Sequence, residues 1–230
     1  MIDHKKRLID LSGRLYRQSL IFQDFGNASI RLNEEILIKA SGKPMSNLCN
    51  EDLVSVHLNS GKHDTALRPS SDTPTHIEIY KAFDDINGVV HTHSTYVTAW
   101  AQAGKSIPCL GTTHADYWNG EIPMTRELTD EEINGDYEKE TGKVIIEKIN
   151  ELNVNPLECP GILVANHGNF TWGKTIEDAV KHAELLEYIA RLVWLSISIN
   201  PNSKPMSKAL LNKHFSRKHG PDAYYGQDSD

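Results

Sequence analysis

From residue 88 the chain reads GVVHTHS, apolar residues that run straight into two histidines separated by one threonine. In an extended strand, residues two apart share a face and lie about 6.8 Å apart at their alpha carbons. His91 and His93 can therefore converge on one ion. VANHGNF repeats the arrangement at His167, which follows an apolar run and precedes a glycine able to open a turn. Three imidazoles at the ends of two buried strands, with a fourth position left open, match the ligand pattern of a catalytic zinc site. Alone, HTH reads equally well as one packed core histidine beside one surface histidine, and a single His-Gly is a weak sign. The combination favours a metal. Asp72, in SSDTP at a helix start, is a fourth ligand, a base beside the metal, or an ordinary N-cap.

The elements around these motifs mix strands and helices. Leu8, Leu11 and Leu15 recur at helical spacing, so the first twenty residues are expected to form one amphipathic helix. SIRLNEEILIKAS reads as a hairpin about Asn33 and Glu34, and DLVSVHL as a third strand. Thr73 with Pro74 predicts the N-cap and first position of a helix through Phe83. After the short strand GVV, a helix over STYVTAWAQAG and a strand over SIPCLG are expected. Thr129 and Glu132 form a capping-box pattern that opens a helix running to about Leu152, PGILVAN is a buried strand, and Thr175 with Asp178 caps a last long helix. No linker or repeat interrupts the chain, so one domain over 1–230 is expected, a sheet layered with helices.

Composition narrows the function classes. Twenty-four basic against 31 acidic side chains give a net charge of -7, which argues against non-specific binding to nucleic acid. Cys49, Cys109 and Cys159 are odd in number and fit no CxxC spacing, as expected of free thiols in a reducing cytoplasm. The opening MIDHKKRLIDLSGRL lacks the apolar core of a signal peptide, and LLEYIARLVWLSISI is too short and too charged to span a bilayer.

A local anion site is still expected. FGNAS, KASGKP and RPSSDTP combine glycine or serine with turns, and Lys39 adds an ammonium, so backbone N–H groups, hydroxyls and one cation can surround an anion. Each turn alone reads as only a turn. In GTTHADYWNG, Asp116 sits where a carboxylate can be aimed at a substrate or close a turn, and His114 is open to the same two readings. Tyr224 and Tyr225, in a polar tail, suggest docking, and a phenol there can exchange protons.

The segments RPSSDTPTH, VVHTHS, WAQAGKSIPCLGTTHADY, INGDYEKETGKVI, NHGNFTWGK and KHFSRKHGPDAYYGQ, in that order, resemble the class II aldolase family of zinc enzymes, and most closely its L-ribulose-5-phosphate 4-epimerase branch. The resemblance implies a three-layer αβα fold around a mostly antiparallel or mixed sheet. It implies that His91, His93 and His167 bind Zn2+, with Mn2+ or Co2+ as substitutes, and that Asp72 lies at or beside the metal. Gly26, Asn27, Ser41, Gly42, Ser70 and Ser71 would hold a sugar phosphate, with Lys39 nearby and His214 in support. Asp116 and Tyr225 would be the acid and base, the tyrosine reaching in from a neighbouring subunit of a cyclic homotetramer through the tail 214–230. Thr95 and Tyr96 stand where relatives carry arginine after HTHS, Trp118 and Asn119 where they carry an aromatic residue and tyrosine, and Asn169 where they carry proline.

This residue set suits a hard inversion. The C4 hydrogen of a 2-ketose phosphate is not alpha to the C2 carbonyl, so simple proton abstraction would leave an unstabilised carbanion. Transient oxidation needs a nicotinamide, and no GxGxxG follows a strand here. Cleavage and re-formation of the C3–C4 bond needs a Lewis acid instead, which the histidines supply. An aldolase of the fuculose- or rhamnulose-phosphate type is the neighbouring expectation. A non-catalytic module like the adducin head would carry a broken ligand set, whereas all three histidines stand here.

Overall fold

The computed structural model describes residues 3–63, 65–220 and 223–224. Among these residues, six strands pair into one sheet: β1 (Gly26–Leu32), β2 (Glu35–Lys39), β3 (Leu53–His57), β4 (Gly88–Thr92), β5 (Gly161–Val164) and β6 (Gly168–Gly173). They are accompanied by α1 (His4–Arg17), α2 (Thr73–Ala82), α3 (Thr95–Gln102), α4 (Thr112–Ala115), α5 (Asp130–Asn134), α6 (Tyr137–Leu152), α7 (Ile176–Ile199) and α8 (Lys208–His219).

The sheet order is β3-β2-β1-β4-β6-β5, and every neighbouring pair of strands is antiparallel. The hairpin between β1 and β2 turns at Asn33, whose φ of 56° is a left-handed conformation that asparagine tolerates. Alternation sends consecutive side chains to opposite faces. Leu37 and Val90 pack with Leu8, Leu11 and Leu15 of α1 and the start of α7. Ile36, Ile38 and Val89 pack with Ile77 and Tyr80 of α2 and Ile145 and Ile149 of α6. Three layers result. His91 lies two residues beyond Val89 and so belongs to the face that meets the starts of α2 and α6.

Two expected elements come out differently. SIPCLG forms no strand: Ile107 makes one isolated bridge with Ile122, its N–H and carbonyl both paired at 3.0 Å. Pro108, the next residue, has no N–H with which to extend a ladder. The long helix expected from Thr129 is broken. Its capping box is present, with the Thr129 N–H donating to Glu132 Oε2 at 2.8 Å, but α5 stops at Asn134 because Gly135 adopts φ -95°, ψ -133°. The chain re-enters helix at Tyr137. Helix α8 occupies a stretch where the periodicity suggests no element. The three cysteines are unpaired, and no helix among the described residues is long and apolar enough to cross a membrane.

Candidate metal centre and sugar-phosphate cavity

Strand β4 is buried along its whole length and lies between β1 and β6, so its end is held on both sides. His91 faces Asn27 of β1 and Phe170 of β6 in register, and His93 follows immediately after the strand. His167 arrives from the turn between β5 and β6, which Asn166 makes with a φ of 61°. Glycine is required next: a Cβ on Gly168 would lie 2.6 Å from the Thr92 carbonyl oxygen and 3.5 Å from both His91 Cε1 and His93 Cδ2.

The three rings meet. Centroids are 4.8 Å apart for His91–His93 and His91–His167 and 4.9 Å for His93–His167, and one ligand nitrogen from each lies within 4.8 Å of the others. His91 Nδ1 sits 2.8 Å from the Asn169 carbonyl, which assigns the ring proton to that nitrogen and leaves Nε2 bare, 3.0 Å from His93 Nε2. Phe170 stacks on the same imidazole at 4.3 Å. Burial pushes all three histidines below their ordinary range, His167 to about 4 with His91 adding to the effect. Each is a neutral ligand at neutral pH. His167 Nδ1 is buried with no hydrogen-bond partner. Bare, neutral, converging nitrogens fit a divalent cation.

Asp72 holds the N-cap position of α2, which corrects the expected cap at Thr73; the Thr73 hydroxyl instead donates to the Ser70 carbonyl at 2.6 Å. The Asp72 carboxylate makes no capping bond. It accepts from Asn27 Nδ2 at 2.6 Å, and its Oδ2 lies 3.9 Å from His91 Nε2. Burial opposes its charge, but the neighbouring histidines and the Asn27 amide outweigh that and hold it below the usual carboxylate range.

A cavity of about 340 Å³ opens over the triad, and Gly26, Asn27, Lys39, Ser41, Gly42, Ser70 and Ser71 line it. The turns are tied together by the Ser70 N–H donating to the Lys39 carbonyl and the Ser41 N–H to the Arg68 carbonyl, both at 2.9 Å. Lys39 is only 4% exposed, and burial lowers its ammonium below the ordinary lysine range despite Asp24 and Asp72. Four further lining residues, Asp24, Phe25, Tyr137 and Glu138, have no role in the sequence reading. The interrupted helix supplies the last two, with Tyr137 stacked on His167 at 6.4 Å.

Asp116 and His214 are elsewhere. Asp116, just after α4, is 8% exposed and lines no part of this cavity. Its carboxylate is 3.0 Å from His214 Nδ1 and accepts from Arg217 Nε at 3.2 Å and Nη2 at 3.0 Å, while His219 Nε2 lies 2.8 Å from its carbonyl. Tyr225, the other expected proton carrier, falls outside the described residues. His114 is buried in the α4 turn, which pushes it down to about 4. Of the departures from the family pattern, Trp118 Nε1 donates to the Gly161 carbonyl, the Tyr96 ring lies 5.8 Å from that of Trp194, and Asn169 Oδ1 accepts from the Thr92 hydroxyl at 2.7 Å.

The sequence matches the family described as class II aldolase and adducin N-terminal domain over residues 6–194. An L-ribulose-5-phosphate 4-epimerase UlaF from Salmonella paratyphi A (strain ATCC 9150 / SARB42) is 48% identical over 225 residues, 97% of this chain and 98% of the relative, and one from Salmonella typhi is equally similar. Among solved structures, an L-fuculose 1-phosphate aldolase superposes with a TM-score of 0.79 at 21% identity, covering 94% of this chain and 96% of that one. L-fuculose-1-phosphate aldolase from Thermus thermophilus gives 0.69 at 21% identity, covering 88% and 98%.

Proposed function

Because the chain belongs to the class II aldolase and adducin N-terminal domain family, we propose that it is an L-ribulose-5-phosphate 4-epimerase, interconverting L-ribulose 5-phosphate and D-xylulose 5-phosphate by cleaving and re-forming the C3–C4 bond. The observation that carries this reading is near-full-length likeness to epimerases, 48% identity across 97% of the chain. The converging triad beneath a polar cavity supports it.

His91, His93 and His167, with Asp72 beside them, would hold a divalent ion, Zn2+ by the nitrogen-rich ligand set and Mn2+ or Co2+ in its place. Such an ion supplies Lewis-acid stabilisation of the negative charge that bond cleavage leaves on the ketose fragment. The protein's own residues do the rest. Lys39 and the turns at Ser41–Gly42 and Ser70–Ser71 grip the phosphate, and Gly26 and Asn27 close the same wall. That grip keeps the glycolaldehyde phosphate fragment in place while it rotates, which separates an epimerase from an aldolase. Inversion needs proton carriers on two faces of the aldehyde, the roles given to Asp116 and Tyr225. Since Asp116 does not line the cavity of its own chain, the reading assigns these groups to a neighbouring subunit of a homotetramer, with the tail 214–230 crossing the interface. A reducing cytoplasm suits its three unpaired cysteines.

The test is a coupled assay for D-xylulose 5-phosphate from L-ribulose 5-phosphate, with and without a chelator. Chelator-sensitive formation is expected. Free glycolaldehyde phosphate without xylulose 5-phosphate would instead identify an aldolase.

A further inference from the structure

The three rings of the triad are not held alike. His91 is fixed from outside by the Asn169 carbonyl at Nδ1 and by Phe170 on its face, and Tyr137 stacks on His167. His93 has already left β4, and among the described residues its ring makes no hydrogen bond except the 3.0 Å contact with His91 Nε2. Outside the triad its ring partner is Phe25, itself 52% exposed. His93 must therefore be aimed through its backbone. On one side that backbone is β4; on the other it is α3, which begins two residues later at Thr95.

The start of α3 is tied down from a distance. A helix leaves its first N–H groups without partners, and a serine at the N-cap ordinarily satisfies one of them. Ser94 holds that position but makes no capping bond with its side chain. Glu187 of α7 does so instead: the Tyr96 N–H donates to Oε1 at 3.0 Å and Oε2 at 3.1 Å, and the Val97 N–H to Oε2 at 3.1 Å. A carboxylate here is favoured by the helix dipole as well as by these charge-assisted bonds. At the far end of α3, Trp100 Nε1 donates to the Ala190 carbonyl of α7 at 3.1 Å. Two pins thus join the helices, and the first of them lies next to His93.

We propose that Glu187 is a positioning residue for the metal centre: by binding the first N–H groups of α3 it fixes the backbone that leaves His93, and so sets this ring against His91 and His167. Helix α7 packs on β4 and β6, the strands that carry His91 and stand beside His167, so the carboxylate refers the third ring to the same frame as the other two. This rests on the metal reading of the triad but not on the identity of the sugar. The experiment is competition of the purified full chain against a chromogenic chelator for Zn2+, with thermal melting of the metal-free forms as the check on folding. Glu187→Ala is expected to weaken zinc binding about 10- to 100-fold, the usual cost of removing an outer partner. Glu187→Gln, which keeps the size and one acceptor oxygen, should lose less in the same direction.

Trp100→Phe separates positioning from plain helix stability. It removes the pin at the far end of α3, so it should lower the melting temperature yet leave zinc affinity unchanged. Wild-type affinity in Glu187→Ala would overturn the proposal, and so would equal weakening by Glu187→Ala and Trp100→Phe, because the loss would then follow the stability of α3. Should alanine prevent folding, the same comparison is made with Glu187→Gln. Wild-type protein that binds no zinc would overturn the triad reading and this one together. Wild-type protein that binds zinc yet makes no xylulose 5-phosphate would sink the epimerase reading while leaving this one standing.

Discussion

The cavity over the triad and the knot around Asp116 are both buried, polar and rich in histidine, yet they are built on different principles. Around the cavity, nitrogens converge and stay bare: His91 and His93 offer Nε2 atoms 3.0 Å apart, and His167 Nδ1 has no partner. Around Asp116 the carboxylate is engaged, taking contacts from His214 and Arg217. One region gathers donors that could hold a cation; in the other, Arg217 already pairs with the carboxylate. The candidate metal site and the Asp116 carboxylate thus lie in separate regions of the chain.

The sharpest way to break this contrast is His93→Ala. It is expected to lose bound metal and nearly all turnover while remaining folded, as read by elemental analysis, the coupled assay and circular dichroism. Retained activity would remove the triad from the mechanism. Asp116→Asn and Tyr225→Phe should lower the rate about 100-fold or more with metal content unchanged, and an unchanged rate would move the proton transfer elsewhere. Mixing His93→Ala with Asp116→Asn subunits sharpens the point. Sites shared between chains regain activity that neither variant shows alone, and sites confined to one chain do not.

Gly168→Ala is smaller in scale, about 1–3 kcal/mol of stability by urea unfolding, because the added methyl meets the Thr92 carbonyl. The gentlest effect is on pH. His76, His114 and His182 are buried neutral, with pKa values near 3, 4 and 4 against 6.5 when unfolded. Below 6.5 the unfolded chain binds more protons than the native one, so the melting temperature of the metal-free protein should fall steadily from pH 6.5 toward 4. A flat profile would show that these rings are protonated in the fold.

The contrast between the two regions also marks what the sequence could show. The convergence of three rings was legible because strand alternation fixes which way His91 and His93 point and because VANHG repeats the pattern. The hairpin at Asn33 and the capping boxes at Thr129 and Thr175 were legible for the same local reason. Tyr137 and Glu138 were not, since periodicity runs the helix straight through Gly135, whereas the observed break places both on the cavity wall, with Tyr137 against His167. The displaced cap is similar: Thr73 carries the better capping residue type, but the site draws the Asp72 carboxylate to Asn27. Helix α8 escaped because it buries little beyond Phe215 and has no strong apolar stripe.

His91 and His93 hang from β4, and His167 stands at the mouth of β6; both strands are flanked by neighbours on either side. Apart from Gly26 and Asn27 on β1 and Lys39 on β2, the remaining walls are turns and helix beginnings. Residues on those walls can change without disturbing the interior strands, so new substrate tastes can evolve while the grip on the ion is inherited intact.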